Sequence, residues 1–326
     1  MKATSRYTLA MCAIVGLASA TSASATSISV SSFSPQFVGV DLATATILSN
    51  ADSSVANTSI AYIERIDLTA PGIGFTTTPP SGPLETTSQS TSQFLQSTGA
   101  EVAINANFFS DVAATPSPED LLGLAVSNGT VVAPQSFGSD DAAASLLITK
   151  TNTAAISPAG STAIDLSNVF NAVSGNQIVT NGVDTSAITP TGAPHDPFGL
   201  DPRTGIGLSQ NGRFLYLIAI DGRQPGYSVG TTTSDEAALM IDLGVYDGLN
   251  LDGGGSTALV QASAGGPVLI DSPSGSFGVV ERLDGNNLGV FASALATPEP
   301  STWVMMLAGF GGLALLAGRR TPLSAA

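Results

Sequence analysis

The sequence predicts an α+β fold: one domain built on a largely antiparallel or mixed β-sheet, with few helices packed on it. Three observations indicate this class. Short apolar runs recur, Gly-rich and Asn-Gly turns separate them, and only one segment has a strong amphipathic helical pattern. Apolar residues make up 43% of the 326 residues, enough for a buried core. Because the formal net charge is -15, the composition argues against nucleic acid as a partner.

The first part of the chain is predicted to be mainly strands. Residues 36–48 alternate apolar and polar side chains, and 59–68 form a partner strand whose alternation is interrupted at Glu64. A weak, polar helix is predicted at 87–97. The apolar triplet 102–104 predicts a buried strand that runs into polar residues.

The middle of the chain has one clear turn and one long irregular stretch. Asn128 and Gly129 are typical of a type I′ hairpin turn. One or two further strands are predicted within 146–156. Residues 157–202 are rich in Pro, Gly, Asn and Asp, and only a short strand at 178–179 is predicted there.

A second hairpin is predicted from 204–208 and 214–220, joined across Asn211 and Gly212. Its second strand is almost wholly apolar, which is typical of a central strand covered on both faces. Further short strands are predicted at 245–251, 257–261 and 267–270, and a segment at 279–290 closes the domain.

The best helix is predicted at 233–243. Thr233 and Glu236 have the spacing of a capping box at its start. One face of the helix carries Ala237, Met240, Ile241 and Gly244. This helix is followed by a short strand that ends next to Asp252 and the three glycines after it.

The N-terminal residues 1–25 have the features of a secretory signal peptide. Lys2 and Arg6 precede an apolar run at 9–20, and small residues at 23–25 form a cleavage site. The single cysteine, Cys12, lies in this segment, so no disulfide is predicted in the mature protein.

The C-terminal segment 297–326 contains Pro-Glu-Pro, an apolar run at 303–317 and two terminal arginines. This tripartite tail resembles the PEP-CTERM sorting signal, which implies recognition by an exosortase. The run is slightly short for a full span of about 20 residues, so transient membrane anchoring is predicted, and an ordinary C-terminal anchor is the alternative. The predicted domain is therefore 26–296, exported to the periplasm, outer surface or extracellular matrix.

The organising motif is the octet 250–257, in which Asp252 ends a short strand and three glycines follow. Gly-rich loops let other groups approach the backbone, and their N–H groups can face an anion. Other polar residues also follow apolar strands, where a rigid sheet presents side chains to a site. They are Asn105, Asn107, Arg203, Asp221, Arg223, Glu281, Arg282 and Asn286.

Four segments carry a family resemblance. In order, they are 103–109, 202–207, 221–223 and 250–257, and together they resemble the phosphodiester glycosidase (NAGPA) family over roughly residues 55 to 292. The chain departs from the family pattern within 105–109, where Asn-Gly-Gly-Phe-Phe is usual. It also departs where Glu-Arg-Pro-Val is usual, since here the run ends in Leu283 and Asp284. These departures leave the substrate more open than the reaction class.

The resemblance implies a hydrolase that cleaves a sugar-1-phosphodiester and leaves a phosphomonoester. Asp252 is the first candidate for nucleophile or base, and Asp221 or Glu281 for the second carboxylate. Arg203 and Arg223 are the phosphate candidates, since a cationic fork suits a leaving phosphate. The predicted substrate-binding residues are Asn105, Arg203, Arg223, Gly253, Gly254, Ser256, Thr257, Arg282 and Asn286.

Structural alternatives stand beside these roles. Arg203 and Arg223 could pair with Asp201 and Asp221, and Asp221 could cap a loop. Glu281 could be an internal partner of Arg282. Asn105 and Asn286 could bind sugar hydroxyls, orient a carboxylate or satisfy turns, whereas Phe108 and Phe109 could stack on a sugar or lie in the core. No metal or other cofactor is predicted, because His195 is the lone histidine and the acids lack EF-hand spacing.

Three functions follow as hypotheses. The first is an exported glycosidase that acts on a glycosyl phosphodiester in envelope or secreted polysaccharide. The second is a non-catalytic polysaccharide-binding matrix protein on the same fold. The third is a glycosidase for ordinary glycosidic bonds.

Overall fold

The computed structural model describes residues 26–49, 57–135, 144–158, 161, 164–186, 199–274 and 280–296. This part of the chain contains helices α1 (Thr91–Thr98) and α2 (Thr233–Asp242). Its strands are β1 Ser27–Val30, β2 Ser34–Phe37, β3 Val40–Ser49, β4 Asn57–Asp67, β5 Gly74–Thr77, β6 Thr86–Thr87, β7 Val102–Asn105, β8 Pro118–Glu119, β9 Ala125–Ser127, β10 Thr130–Ala133, β11 Ala144–Thr149, β12 Ala154–Ser157, β13 Val169–Thr180, β14 Val183–Asp184, β15 Arg203–Ser209, β16 Phe214–Ile220, β17 Val245–Asn250, β18 Leu259–Ser263, β19 Gly266–Leu269 and β20 Asn287–Phe291.

Two antiparallel sheets dominate the fold. The large sheet runs in the order β1-β3-β4-β16-β15-β17-β13-β11-β12, and the small one in the order β19-β18-β7-β20-β5. A short β6-β8 pair lies beside them. The predicted single domain, with a largely antiparallel sheet and few helices packed on it, is confirmed. The α+β class is corrected to a largely β fold, because the described residues contain 20 strands and only two α-helices.

The sheets and helices stack in four layers. The main core joins Leu217 and Leu249 of the large sheet to Ile104 and Leu288 of the small sheet. On the outer face of the large sheet, Ile218 packs with residues of α2. On the outer face of the small sheet, α1 packs through a further cluster. Side chains of β16 therefore contact apolar groups on both faces, which confirms that it is a central strand.

Both predicted hairpins are present. Asn128 and Gly129 have φ values of 49° and 82°, as a type I′ turn requires. In the second hairpin, Thr204 pairs with Ala219 and Leu208 with Leu215.

The prediction for 157–202 was wrong, because Val169–Thr180 forms a strand of 12 residues between β11 and β17. Polar residues at its buried positions disrupt the alternation of apolar and polar side chains from which a strand is predicted. Asn171 Nδ2 donates to Phe75 O (2.9 Å), and Ser174 Oγ donates to Leu124 O (2.8 Å). These internal bonds satisfy groups that would otherwise oppose burial.

Helix α2 (Thr233–Asp242) confirms the helix predicted at 233–243, although its N-cap lies one residue earlier than predicted. The N-cap is Thr232 rather than Thr233, and it forms the capping box with Asp235. Ile241 was wrongly placed on the packed face, since it is 37% exposed, whereas Leu239 is buried. Helix α1 begins later than predicted, after the N-cap Ser90, because residues 86–87 belong to β6.

Glu64 does not interrupt its strand. It lies buried between the two sheets, where Gln261 Nε2 of β18 donates a hydrogen bond to Glu64 Oε1. Burial raises the pKa of Glu64 to about 7. The carboxyl is therefore accommodated in the core largely as a neutral group at acidic pH.

Within the described residues, no helix has the length and apolar character needed to cross a membrane. The predicted signal peptide, the apolar run at 303–317 and His195 lie outside the described residues.

Candidate active site

The loop after β17 joins the two sheets. Asp252 is 5% exposed, and its N–H donates to Ala106 O (3.0 Å) at the end of β7. Asn105 Nδ2 donates in return to Asp252 O (2.6 Å). Two hydrogen bonds between its main chain and the end of β7 therefore fix Asp252, which lies two residues after the large-sheet strand β17.

The glycines of this loop are required by close contacts. A Cβ atom on Gly253 would lie 2.8 Å from Pro202 O. Gly254 has φ +63°, and its N–H donates to Pro202 O (2.9 Å). Gly254–Ser256 then form a 3₁₀ turn. The loop thus lies directly against the residue that precedes β15.

The guanidinium groups of Arg223 and Arg282 lie against two consecutive glycines, Gly254 and Gly255. A Cβ on Gly254 would be 3.1 Å from Arg223 Nη2, and a Cβ on Gly255 would be 2.5 Å from Arg282 Nη2. Arg282 Nη1 also donates to Ser256 Oγ (3.2 Å). The absence of side chains on the loop therefore makes room for a pair of cations, Arg223 and Arg282.

Arg223 has an unusual backbone, with φ +57°. Its Nε donates to Asp201 Oδ1 (2.8 Å), and the two side chains are 43% and 21% exposed. The predicted alternative of an Arg223–Asp201 ion pair is therefore present. Such partly exposed pairs contribute about 0.2–1 kcal/mol, which an incoming oxyanion can replace. A non-glycine residue in the left-handed region is typical of functional sites.

Arg203 lies in a different environment. It is 4% exposed, Nε donates to Thr231 O (2.9 Å), and Nη2 donates to Gly199 O (2.8 Å). It also interacts with buried Glu236 of α2, whose pKa burial raises to about 8 and the Arg203 charge lowers. Because these contacts are with backbone carbonyls and helix α2, they fix the start of β15.

Asp221 lies at the end of β16 and is 1% exposed. Tyr227 Oη donates to Asp221 Oδ2 (2.9 Å), and Ser272 N–H donates to Oδ1 (2.8 Å). Burial raises the pKa of Asp221 to about 6, against the lowering effect of these bonds. The site thus contains a carboxyl that titrates near neutrality.

Asp271 extends this group of acids. It is buried, Oδ1 accepts from Leu259 N–H (2.8 Å), and burial raises its pKa well above the usual value. The charges of Asp221 and Glu281 raise it further. Asp271 therefore lies close enough to Asp221 and Glu281 for their charges to act on it.

Glu281 contacts helix α1. Its Oε1 accepts a hydrogen bond from Ser92 N–H (2.9 Å) in the first turn of that helix. A carboxylate at a helix N-terminus is stabilised by the orphan N–H groups and the helix dipole. Glu281 thus links the closing segment to α1.

Asp284 is a residue that the sequence analysis did not include in the site. It is 1% exposed, and burial followed by the Asp252 charge raises its pKa well above the usual value. Ser256 and Arg282 lower that pKa. The available signal is the acid two residues after Arg282, at a position where the sequence departs from the family pattern.

The predicted asparagines form an internal network. Thr204 Oγ1 donates to Asn105 Oδ1 (2.8 Å) and lies 3.2 Å from Thr257 Oγ1. Asn286 Nδ2 donates to Asn107 Oδ1 (2.9 Å). All five side chains are buried. Their contacts hold the Asp252 loop and the closing segment in register.

Phe108 and Phe109 are both partly exposed. Phe109 packs with Leu121, and a Cβ on Gly285 would lie 2.6 Å from Phe109 Cβ. Phe109 therefore supports the closing segment near the site.

The arrangement combines a pair of guanidinium groups with several buried carboxyls. Guanidinium groups suit phosphate oxygens, and carboxyls of unequal pKa suit nucleophilic or acid–base roles. In the part of the chain that the structure describes, no group of three or more His, Cys, Asp or Glu residues is arranged to hold a metal ion.

Comparisons with known sequences agree with the predicted family. The family model described as phosphodiester glycosidase matches residues 98–291. A PEP-CTERM protein-sorting motif matches residues 296–320. A search of curated proteins finds no match.

Solved structures share the fold. A Burkholderia pseudomallei K96243 protein that is assumed to be exported has 15% identity and a TM-score of 0.59, covering 81% of this chain and 96% of that one. The zebrafish N-acetylglucosamine-1-phosphodiester α-N-acetylglucosaminidase catalytic domain, auto-inhibited by its pro-peptide, has 19% identity and a TM-score of 0.59. It covers 81% of this chain and 87% of its own. At these identities the likeness shows the fold alone.

Proposed function

This chain belongs to the phosphodiester glycosidase family, and from that premise we propose that it hydrolyses the bond between sugar C1 and phosphate in a glycosyl-1-phosphodiester. One observation carries the proposal: Arg223 and Arg282 lie on Gly254 and Gly255, in the loop that begins with Asp252. A double cationic site beside a buried carboxyl suits a substrate that has both a phosphate and an electrophilic sugar carbon.

The proposed reaction follows the charges that develop as the bond breaks. Cleavage of C1–O leaves positive charge on the sugar and negative charge on the departing phosphate. Arg223 and Arg282 neutralise the phosphate oxygens. Asp252 acts on the C1 side in one of two ways: as the nucleophile that forms a glycosyl ester, which water then hydrolyses, or as the base that takes a proton from an attacking water. In either case water supplies the C1 hydroxyl of the free sugar, the C1–O electron pair leaves with the phosphate as a phosphomonoester, and one proton is released.

Asp221 is the preferred second carboxyl in this proposal. Its pKa of about 6 lets it hold or release a proton near neutral pH, and Tyr227 and Ser272 fix its orientation. Glu281 is assigned a positioning role, because its carboxylate is bonded to the first turn of α1. Asn105 and Asn286 are assigned to hold the loops. Arg203 is assigned a structural role, fixing the start of β15, against which the Asp252 loop packs.

The proposed setting is the bacterial envelope or secreted polysaccharide. The PEP-CTERM motif implies secretion and sorting, and we propose that an exosortase acts on the tail. The mature domain is proposed to be 26–296. The substrate would then be a glycosyl phosphodiester within exported polysaccharide.

The test is turnover of an N-acetylglucosamine-1-phospho-sugar by the purified protein. Arg223→Ala should lower kcat/KM by about 10²–10³-fold, because it removes charge stabilisation of the leaving phosphate. Asp252→Asn should lower it by about 10²–10⁴-fold. Unchanged activity in both variants would reject these roles.

Matched controls come from the turn between β15 and β16, at the opposite end of β16 from Arg223. Arg213 pairs with Asp67 there at 2.6 Å, and its side chain is 52% exposed. Arg213→Ala and Asp67→Asn remove the same chemical groups and should keep kcat/KM within about twofold, since surface changes are usually small. Glycan binding without turnover would indicate a matrix protein instead, and equal hydrolysis of an aryl glycoside would indicate an ordinary glycosidase.

A further inference from the structure

Asp201 and Pro202, the two residues before β15, contact two parts of the proposed phosphate site. Pro202 O accepts a hydrogen bond from Gly254 N–H (2.9 Å), which holds the glycine loop. Asp201 Oδ1 accepts from Arg223 Nε (2.8 Å), which holds the guanidinium that lies against that loop. Consecutive residues of one segment therefore set the positions of the loop and of the cation relative to each other.

The backbone of Asp201 is itself fixed. Its N–H donates to Thr231 O (3.2 Å), and its carbonyl accepts from Thr231 N–H (3.0 Å), so the two residues form an antiparallel bridge. Arg203 Nε donates to the same Thr231 carbonyl (2.9 Å). Gly230 has φ +95°, and a Cβ atom there would lie 2.5 Å from the carbonyl group of Asp201. The Asp201 carboxylate is therefore presented from a rigid, closely packed support.

The Asp201 carboxylate contacts only one edge of the Arg223 guanidinium. A guanidinium has five N–H donors, one on Nε and four on the two terminal nitrogens. Asp201 accepts from Nε, whereas a Cβ atom on Gly254 would lie 3.2 Å from Nη1 and 3.1 Å from Nη2. Among the described residues, Asp201 alone accepts a hydrogen bond from this side chain. Both terminal nitrogens thus lie over the loop and present the fork that suits two phosphate oxygens.

Two roles are open to a carboxylate in this position. As a counterion, Asp201 would leave Nε when phosphate arrives, and the small energy of an exposed ion pair permits that. As a support, it would stay on Nε and direct Nη1 and Nη2. The geometry favours the second role, because the carboxylate and the loop contact different nitrogens. The Arg223 side chain is also 43% exposed, and without this contact it would sample many rotamers.

We propose that Asp201 is a positioning residue, whose carboxylate holds Arg223 Nε so that Nη1 and Nη2 face the phosphate over Gly254. The phosphate ligand is taken from the proposed function, on which this inference rests. In this role Asp201 touches no reacting atom and acts entirely through Arg223. The position of its acceptor oxygen therefore matters more than its negative charge.

The test compares three substitutions of Asp201 in the purified protein. Asp201→Asn keeps an acceptor oxygen in place and removes the charge, Asp201→Glu keeps the charge and moves the oxygen by one methylene, and Asp201→Ala removes both. Asp201→Ala should lower kcat/KM for an N-acetylglucosamine-1-phospho-sugar by about 10–10²-fold, because a group misplaced by about 1 Å can cost 10²-fold. Asp201→Asn should recover most of this loss, and Asp201→Glu should not. The reverse order of the two variants would overturn the proposal.

Action through Arg223 is tested by a double-mutant cycle. When Arg223→Ala is already present, adding Asp201→Ala should change kcat/KM by less than about twofold, since the group that Asp201 positions is gone. A further loss as large as that in the wild type would show that Asp201 acts on something else and would overturn the proposal.

The ion pair at the turn between β15 and β16 offers a matched control. Asp67→Ala removes the carboxylate that lies 2.6 Å from Arg213 Nη2, far from the Asp252 loop in the hairpin, and it should keep kcat/KM within about twofold. A loss there equal to that of Asp201→Ala would make the effect nonspecific and contradict the assigned role.

Binding of inorganic phosphate, measured by calorimetry, separates this proposal from the proposed reaction. If the wild type binds phosphate but hydrolyses no phosphodiester, the reaction is rejected and the Asp201 variants still decide the positioning role. The dissociation constant for phosphate should rise about three- to tenfold in Asp201→Ala, because the arginine must then be ordered on binding, and Asp201→Asn should bind at least as tightly as the wild type. Tighter binding by Asp201→Ala would identify a competing counterion, and no phosphate binding by the wild type would remove the ligand for Arg223. Either result would refute the proposal.

Discussion

Replacing Glu64 by Gln should make the protein more stable above neutral pH. The carboxyl is fully buried between the sheets, and burial raises its pKa from 4.5 to about 7. Between these two values the folded protein holds a proton that the unfolded chain has lost. Stability therefore falls as pH rises through this window.

The magnitude follows from the shift. The rise of the Glu64 pKa from 4.5 to about 7 corresponds, well above pH 7, to about 3.5 kcal/mol, since each tenfold change in an equilibrium constant is about 1.4 kcal/mol. Glutamine keeps the acceptor for Gln261 Nε2 and has no charge to bury. The free energy of unfolding of Glu64→Gln should thus exceed that of wild type by up to about 3 kcal/mol at pH 8, relative to the difference at pH 4.

The assay is urea denaturation of both proteins at a series of pH values. Only the difference between variant and wild type is compared, because Glu236 and Asp221 titrate in the same range in both proteins. The exposed Asp165 offers a control: because its pKa lies below the usual 3.8 through bonds from Ser167, the difference between Asp165→Asn and wild type should not change from pH 5 to 8. A Glu64→Gln difference that is flat with pH would refute the idea that this carboxyl is held neutral in the core.

Three other outcomes are expected at the site. Gly255→Ala should lower kcat/KM by about 10²-fold, because its Cβ would displace the Arg282 guanidinium, and circular dichroism should show an unchanged fold. Tyr227→Phe removes a hydrogen bond that lowers the pKa of Asp221, so the pH-activity profile should show that pKa moving upward from about 6; an unmoved profile would exclude Asp221 from the reaction. Asn105→Ala leaves several buried backbone and hydroxyl groups without partners and should cost about 2–5 kcal/mol in chemical denaturation, and a loss below 1 kcal/mol would contradict the anchoring role.

Much of the β-structure could be predicted from local pattern. The turn at Asn128 and Gly129 requires positive φ at both residues, which few other pairs tolerate. The apolar run of β16 predicted a central strand, because only a strand covered on both faces needs so few polar side chains. By contrast, β13 escaped prediction since its polar residues bond to neighbouring strands and loops that lie far away in sequence.

The candidate site was harder to predict from sequence. The motifs identified the segments, but no local pattern distinguishes the environment of Arg203 from that of Arg282. The difference arises from tertiary contacts: Arg203, at the start of β15, bonds to backbone carbonyls, whereas Arg282 lies against Gly255 of the Asp252 loop. Asp284 was missed for a related reason: its burial and its neighbours depend on the antiparallel bridge to Gln89.

Asp252 is hydrogen-bonded to Asn105, the last residue of β7, and to Ala106, which follows it, and these two bonds have a mechanical consequence. Any sliding of one sheet over the other would break those bonds and pull the loop out of alignment. Catalysis should therefore be lost as soon as the two sheets shift relative to each other, before the protein unfolds globally. The denaturant concentration at which turnover stops would then measure the stability of the contact between the sheets.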